Sequence, residues 1–260
     1  MNIEEQRNRL STVLLADDPT DGLWQLCDSG DADVVVPELP ALRLEQDPVH
    51  KHKDVLAHTI KVTSKTRPDL RLRLAALFHD IGKPATRRFG TDGVTFRHHE
   101  AVGAKITRKR LRKLEFDKEV VDDVTELVRL SGRFKGYADG WSDAAVRRYC
   151  RDAGPLLGLL NELVRSDCTT KNRHKEARLQ ADIDELEERI LELARQEHLA
   201  AERPQLDGNA IMQRYEISGG PEVGRALKFL LELKRNEGTL EVDEVESRLD
   251  AWWAENIDPG

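Results

Sequence analysis

The sequence predicts an all-α chain, a helical bundle interrupted by one short β-hairpin. Helical periodicity of the apolar residues carries most of that expectation. Leu70, Leu74, Leu77, Phe78 and Ile81 fall at i, i+4, i+7, i+8 and i+11, one face of a helix. Leu179, Ile183, Leu186, Ile190 and Leu193 follow at steps of four, three, four and three, an amphipathic stripe of more than two heptads. The hairpin is signalled by Gly90-Thr91-Asp92-Gly93 between Thr86-Arg87-Arg88-Phe89 and Val94-Thr95-Phe96.

Taken in order, residues 1–47 read as two or three short helices ending in a loop between Pro37 and Pro40. Residues 53–62 form a helix with His58 on the face of Val55 and Val62, which turns inward. The helix over 70–81 ends with Gly82 as its C-terminal cap, and Pro84 stops it from continuing. His79 and Asp80 are thereby held at the end of a rigid element, beside a loop that can accept substrate. The hairpin then hands the chain to His98-His99-Glu100 and a basic helix over 101–114. Val102, Ile106, Leu111 and Leu114 are its inward candidates, and Lys105, Arg108 and Arg112 share one outer face with Lys109, Arg110 and Lys113 nearby. An apolar helical run from near Leu156 ends at Asp167. Residues 176–201 carry the heptad stripe. After Pro204, further helices over 206–215 and 224–234 flank the Gly219-Gly220-Pro221 turn, and Trp252 and Trp253 dock the last helix.

With 260 residues, the chain has room for one large or two small domains and a substantial core. Met1-Asn2-Ile3-Glu4-Glu5-Gln6 has no apolar core, so no secretory signal is expected, and no apolar run approaches membrane-spanning length. Cys27, Cys150 and Cys168 are few and scattered, as suits free thiols in a reducing, cytoplasmic compartment. The formal net charge of −7 does not announce nucleic-acid binding, but the charge is polarised. Arg165, Lys171, Arg173, Lys175 and Arg178 make a second basic segment, while acids concentrate over 182–192 and from Glu237 onward. Such a surface can receive a phosphate backbone on one side; each basic run taken alone fits a solvated helix face equally well.

The chemistry-bearing residues come in the order His58, His79-Asp80, Asp167, on three different helices. Two imidazoles and two carboxylates suit Mg or a divalent transition ion better than a closed structural zinc site. Four protein ligands on an octahedral ion leave positions for water and a phosphate oxygen. Lys83, just after the doublet, is placed to neutralise charge on a phosphate, and Arg87 or Arg88 to clamp a second oxygen. Asp31-Ala32-Asp33 offers an Asp-x-Asp pair, but no Gly-rich strand-turn precedes it, and it reads as a helix-capping loop. His50 and His52 precede the helix of His58 and read as loop residues.

The His…His-Asp…Asp order and the string His79-Asp80-Ile81-Gly82-Lys83-Pro84 resemble the HD superfamily of metal-dependent phosphohydrolases. Val36-Pro37-Glu38-Leu39-Pro40-Ala41-Leu42, Arg147-Arg148-Tyr149, Arg165-Ser166-Asp167-Cys168-Thr169-Thr170-Lys171-Asn172 and Leu206-Asp207-Gly208-Asn209-Ala210-Ile211-Met212 narrow the resemblance. They are similar to the C-terminal half of bacterial tRNA nucleotidyltransferases, the CCA-adding and poly(A)-polymerase-like enzymes that carry an HD domain. The resemblance runs roughly from Leu10 to Trp253. It implies a helical neck over 1–47, an HD metal-binding domain over 48–175, and a C-terminal helical region over 176–260 that helps hold tRNA. It further implies Lys105, Arg108, Arg112, Lys171 and Arg173 as RNA contacts and Arg133 as a substrate contact. A histidine at the place of His99 approaches the metal region in many HD proteins, as a ligand to a second ion or a general acid.

Close relatives often carry a further histidine before an Arg-Phe pair, where this chain has Leu130-Ser131-Gly132 ahead of Arg133-Phe134. A single divalent ion (Mg, Mn, Co or Ni) per chain is therefore expected. The catalytic half of the nucleotidyltransferases is not covered. That implies a shortened relative, a fragment, or a split-gene product with a separately encoded nucleotidyltransferase domain as partner. Two functions stay open. One is a phosphohydrolase acting on a nucleotide or RNA-terminal phosphate, as a 2′,3′-cyclic phosphodiester or a phosphomonoester. The other is a tRNA-holding module whose HD site is accessory.

Overall fold

A computed structural model of the chain describes residues 1–44, 54–90, 93–170, 172–201 and 203–257. It is all-α apart from a two-stranded hairpin, as the periodicity predicts. The order is α1 (Ile3–Leu15), α2 (Thr20–Asp28), α3 (Ala32–Val35), a 3-10 turn (Pro40–Leu42), α4 (Val55–Lys65), α5 (Leu70–Phe78) and α6 (Lys83–Thr86). The hairpin β1 (Arg88–Gly90) and β2 (Gly93–Thr95) leads to α7 (His99–Lys113), α8 (Lys118–Leu130), α9 (Asp143–Ala153) and α10 (Leu157–Asp167). Then come α11 (Arg173–Ala201), α12 (Gly208–Tyr215), α13 (Pro221–Glu237) and α14 (Val242–Asn256). The chain divides into two compact units, Met1–Glu188 and Arg189–Gly260. No described helix is long and apolar enough to cross a membrane.

In the first unit α5 is the central element. Its sequence predicts one apolar face, yet every residue from Leu72 to Phe78 is buried, because α1, α4, α7, α8 and α10 all pack around it. Arg73 is the exception to the apolar rule, at 1% exposure. A buried guanidinium is tolerated only where its donors are satisfied. Arg73 Nε and Nη2 donate to the Thr66 carbonyl at 3.2 and 3.1 Å, Nη2 donates to the Asp17 carbonyl at 3.1 Å, and Nη1 donates to the carbonyls of Leu14 and Ala16. These carbonyls lie at or past the ends of α1 and α4, where partners within the helix run out. One side chain thus ties the N-terminal helices to the pair that carries the candidate ligands. Burial pulls the Arg73 pKa down, with Asp18 and Asp17 opposing.

The end of α5 departs from the expectation. The helix stops at Phe78, His79 takes the C-cap position, and a turn over 79–82 leads into α6, with Pro84 in its first turn. Gly82 has φ −82°, so no left-handed cap exists there. The glycine is required for another reason: a Cβ at this position would lie 2.2 Å from the His99 carbonyl oxygen and 2.6 Å from the Gly103 nitrogen. The turn after the His-Asp doublet is pressed directly onto the first turns of α7.

The hairpin forms with Arg88 opposite Thr95, Phe89 opposite Val94 and Gly90 opposite Gly93; Thr91 and Asp92 of its turn signal lie outside the described residues. In α7 the inward face is rotated from the predicted one. Leu111 and Leu114 are buried, but Val102 and Ile106 are only half-buried, and Gly103, Ala104, Thr107 and Arg110 take the interior positions. Arg110 belongs to the basic run yet makes a two-pronged ion pair with Glu38 at 2.9 and 2.7 Å. Arg165 of the second basic segment is likewise committed, to Asp184 and Glu187 at 2.8 and 3.1 Å. The stripe of α11 buries Ile183 and Leu186 fully, with Leu179 half-buried. Asp31 takes the N-cap position of α3 without a side-chain capping bond, pairing instead with Arg9 at 3.6 Å, and Asp33 lies within the helix rather than in a capping loop.

The second unit has its own core of Ile211, Val223, Ala226, Leu230, Val245 and Leu249. Trp253 stacks on Tyr215 with ring centroids 3.8 Å apart and Trp252 on Phe229 at 5.0 Å, so α14 docks through its tryptophans onto α12 and α13.

Replacing Arg73 with methionine removes its donors from the carbonyls of Leu14, Asp17 and Thr66, and is expected to cost about 3 kcal/mol or more. Urea denaturation measures it. Arg73→Lys, with one ammonium in place of the planar fork, is expected to recover only part of the loss.

Candidate metal centre

Four sequence-predicted ligands converge from three helices. His58 projects from α4, whose N-terminus is capped by Asp54 accepting from the Ala57 amide at 2.7 Å. His79 and Asp80 follow the end of α5, at 3% and 2% exposure. Asp167 is the last residue of α10. His58 Nε2 lies 2.9 Å from Asp167 Oδ1 and 3.3 Å from His79 Nε2, and His79 Nε2 lies 3.6 Å from Asp167 Oδ1. Asp80 Oδ2 faces the same point, 3.3 Å from His79 Nε2 and 3.6 Å from His58 Nε2. One atom each from His58, His79 and Asp167 falls within 4.8 Å of the others, so this cluster can hold a metal ion.

The far side of each ring supports that use. His79 Nδ1 is 2.7 Å from the Ala76 carbonyl, which can only accept, so Nδ1 carries a proton and Nε2 is the atom presented to the cluster. His58 Nδ1 meets Thr169 Oγ1 at 2.8 Å, an outer partner in the loop after α10. That loop is held by Lys65, whose ammonium donates to the Cys168 carbonyl at 2.6 Å and pairs with Glu176 at 3.1 Å. Nitrogen and carboxylate donors oriented from behind fit a divalent ion.

Without an ion the cluster balances its own charge. Burial would lower the His79 pKa, but the Asp80 and Asp167 carboxylates outweigh it and raise it to about 10. Burial would raise Asp80 and Asp167; instead both are held well below the usual carboxylate range, Asp80 first by His79 and Asp167 first by the hydrogen bond from His58. Lys83, 6% exposed, donates to Asp80 Oδ2 at 2.6 Å, with its ammonium 5.7 Å from the centre of the Phe96 ring. His99 is buried, with Nδ1 2.8 Å from the Phe96 carbonyl and Nε2 3.5 Å from Asp80 Oδ1. Its neighbour His98 is exposed, at φ +62°.

A cavity of about 1130 Å³ opens over the cluster, lined by the four ligand candidates together with Lys83 and His99. Ser131 and Gly132 line it at the place where the family resemblance suggests a further histidine. Other predicted residues are elsewhere. Arg87 lies 4.8 Å over the Phe89 ring, Arg88 is exposed on β1, and neither lines the cavity. Arg133 points to Asp152 at 2.6 Å. Lys105, Arg108 and Arg112 are exposed on α7 away from the cavity lining, with Arg108 3.5 Å from Asp122. Arg173 is exposed at the start of α11; Lys171, His50 and His52 lie outside the described residues. Sequence reasoning does not single out Thr169, Arg97 and Lys135, which the fold brings to the site. The spacing of Thr169, two positions beyond a candidate ligand, is the signal that could have found it.

The fold and its donor set define a helical domain with a histidine–carboxylate centre. The HD domain family matches residues 55–214, and the chain belongs to it. The chain is 36% identical over 240 residues to the CC-adding tRNA nucleotidyltransferase of Thermus thermophilus, a match covering 88% of this chain and 52% of that protein. It is 32% identical over 240 residues to the A-adding tRNA nucleotidyltransferase of Deinococcus radiodurans, covering 89% and 54% respectively. It thus spans about half the length of these relatives.

Two outcomes follow from the centre. Asp80→Ala leaves the Lys83 ammonium buried without its counter-charge and is expected to cost about 3 kcal/mol; adding Lys83→Met should restore much of it, a coupling read from a double-mutant denaturation cycle. Thr169→Val is expected to weaken Mn binding by about tenfold, by calorimetry, with Thr169→Ser close to the parent.

Proposed function

We propose that this chain is a metal-dependent phosphohydrolase acting on a nucleotide or RNA-terminal phosphate, as a 2′,3′-cyclic phosphodiester or a phosphomonoester. The observation that carries the reading is the convergence of His58, His79, Asp80 and Asp167 at the floor of a cavity that also holds Lys83 and His99. A divalent ion bound by these four would polarise a phosphoryl oxygen and lower the pKa of a water. The remaining work falls to the protein. Lys83 shares Asp80 with the ligand set and offers its ammonium to the phosphate as charge develops. His99, with Nδ1 donating to the Phe96 carbonyl, presents Nε2 to the cavity, where its doubly protonated form would act as general acid toward the leaving oxygen. With Ser131 and Gly132 at the place of the further histidine, no imidazole stands there for a second ion, which favours one ion per chain. Arg87, Arg88 and Arg133 have no part in the clamp, since none lines the cavity.

A second reading rests on the relatives: both carry tRNA in their names, and the chain corresponds to half of each. In that reading the chain holds tRNA for a nucleotidyltransferase domain encoded elsewhere, the exposed Lys105, Arg108, Arg112 and Arg173 meet the phosphate backbone, and the HD site is accessory. The cytoplasm is the compartment either activity would need.

Protein stripped of metal and reloaded with Mg, Mn, Co or Ni is expected to hydrolyse 2′,3′-cyclic nucleotides, 2′-nucleotides or an aryl phosphate, and His79→Ala to lose turnover to background while keeping its helical circular dichroism. Absence of turnover with every metal, with tRNA bound tightly, would establish the second reading instead.

A further inference from the structure

The cavity is larger than one phosphate and one nucleoside require, at about 1130 Å³ against roughly 300–1000 Å³ for small-ligand pockets. Its lining carries cations from two separate elements besides the ligand cluster: Arg97, just before α7, and Lys175 and Arg178, in the first two turns of α11. All three are exposed, and among the described residues none makes an ion pair. Lys135 lines the cavity too, but it is matched by Glu100 at 3.0 Å. Asp182, one turn beyond Arg178, is the acid in that part of the lining, so the surplus there remains positive. On the floor, Asp80 already has its own cation in Lys83, at 2.6 Å.

We infer that Lys175 and Arg178, with Arg97 lining the same cavity, form a subsite for a second phosphate of the same substrate molecule, the one linked to the 5′ oxygen of the nucleoside whose terminal phosphate lies on the cavity floor. This rests on the phosphohydrolase reading and deepens it, by making these residues the determinants that favour a strand end or a 5′-phosphorylated nucleotide over a bare mononucleotide. Their spacing on α11 suits a shared anion, since positions 175 and 178 are three apart and both side chains leave the same helix face. A guanidinium can take two oxygens of that phosphate, and the ammonium can share one of them or, in a terminal phosphomonoester, take the third.

The test compares adenosine 2′,3′-cyclic phosphate with the same nucleotide carrying a 5′-phosphate and with the dinucleotide ending in the cyclic phosphate. The parent protein is expected to show a kcat/KM at least about tenfold higher for the two substrates with a second phosphate, and Lys175→Ala/Arg178→Ala to bring both ratios near one. Equal gains for both would mark a subsite reading the phosphate alone; a gain confined to the dinucleotide would mark a strand end. Ratios near one in the parent, or unchanged in the double variant, would overturn the inference. Calorimetry on metal-free protein supplies a reading independent of turnover: adenosine 3′,5′-bisphosphate should bind at least about tenfold tighter than adenosine 3′-phosphate, and the difference should vanish in the double variant. Should no substrate turn over with any metal, the phosphohydrolase reading fails, while the calorimetric ratio still decides the subsite.

Discussion

The site depends on a carboxylate that ought not to be where it is. Asp80 is 2% exposed, and an ionised carboxylate in such a place must be met on every side or it will take up a proton. Its two oxygens have separate partners. Oδ2 receives Lys83 and faces His79 and His58; Oδ1 faces His99. Because each partner comes from a different stretch of chain, meeting the needs of one acid gathers α4, the end of α5, α6 and α7 around a point. The geometry of the candidate centre is thus a consequence of electrostatic satisfaction as much as of chain direction.

Two further constraints keep that point rigid. Arg73 holds the carbonyls at the ends of α1 and α4, fixing where α5 begins relative to the helix that bears His58. Gly82 allows the turn after Asp80 to touch the backbone of His99 and Gly103, so the doublet and His99 share one wall. One constraint acts through a long, fully buried polar side chain, the other through the absence of any side chain. Between them, Lys65 and Thr169 hold the loop that follows Asp167.

Much of this was legible in the residues. The helices that carry His58 and Asp167, and the one that ends at the His79-Asp80 doublet, follow from periodicity, and the hairpin from its glycines, because both signals are local. The place of His99 came from the resemblance; in the fold its Nε2 lies 3.5 Å from Asp80 Oδ1. What could not be read were properties set by partners far away in sequence. Gly82 looks like a helix cap because a glycine after a helical run usually is one; only the neighbouring backbone of α7 shows why no Cβ fits. Arg110 and Arg165 look like members of basic patches, and become structural only once Glu38, Asp184 and Glu187 are placed beside them. Some motifs behind the family resemblance have such roles: Glu38 anchors Arg110, Tyr149 donates to Asn161 at 2.8 Å, and Asp207 caps α12.

The pairing of Lys83 with Asp80 also bears on how the centre relates to the fold around it. The buried acid of the centre has a counter-charge within the chain itself, independent of any ion. Occupancy of the centre and the architecture around it are then separable: removing a single candidate histidine ligand leaves the pair that neutralises the acid in place. One scaffold could thus serve either of the two proposed roles, with the same buried pair at its heart.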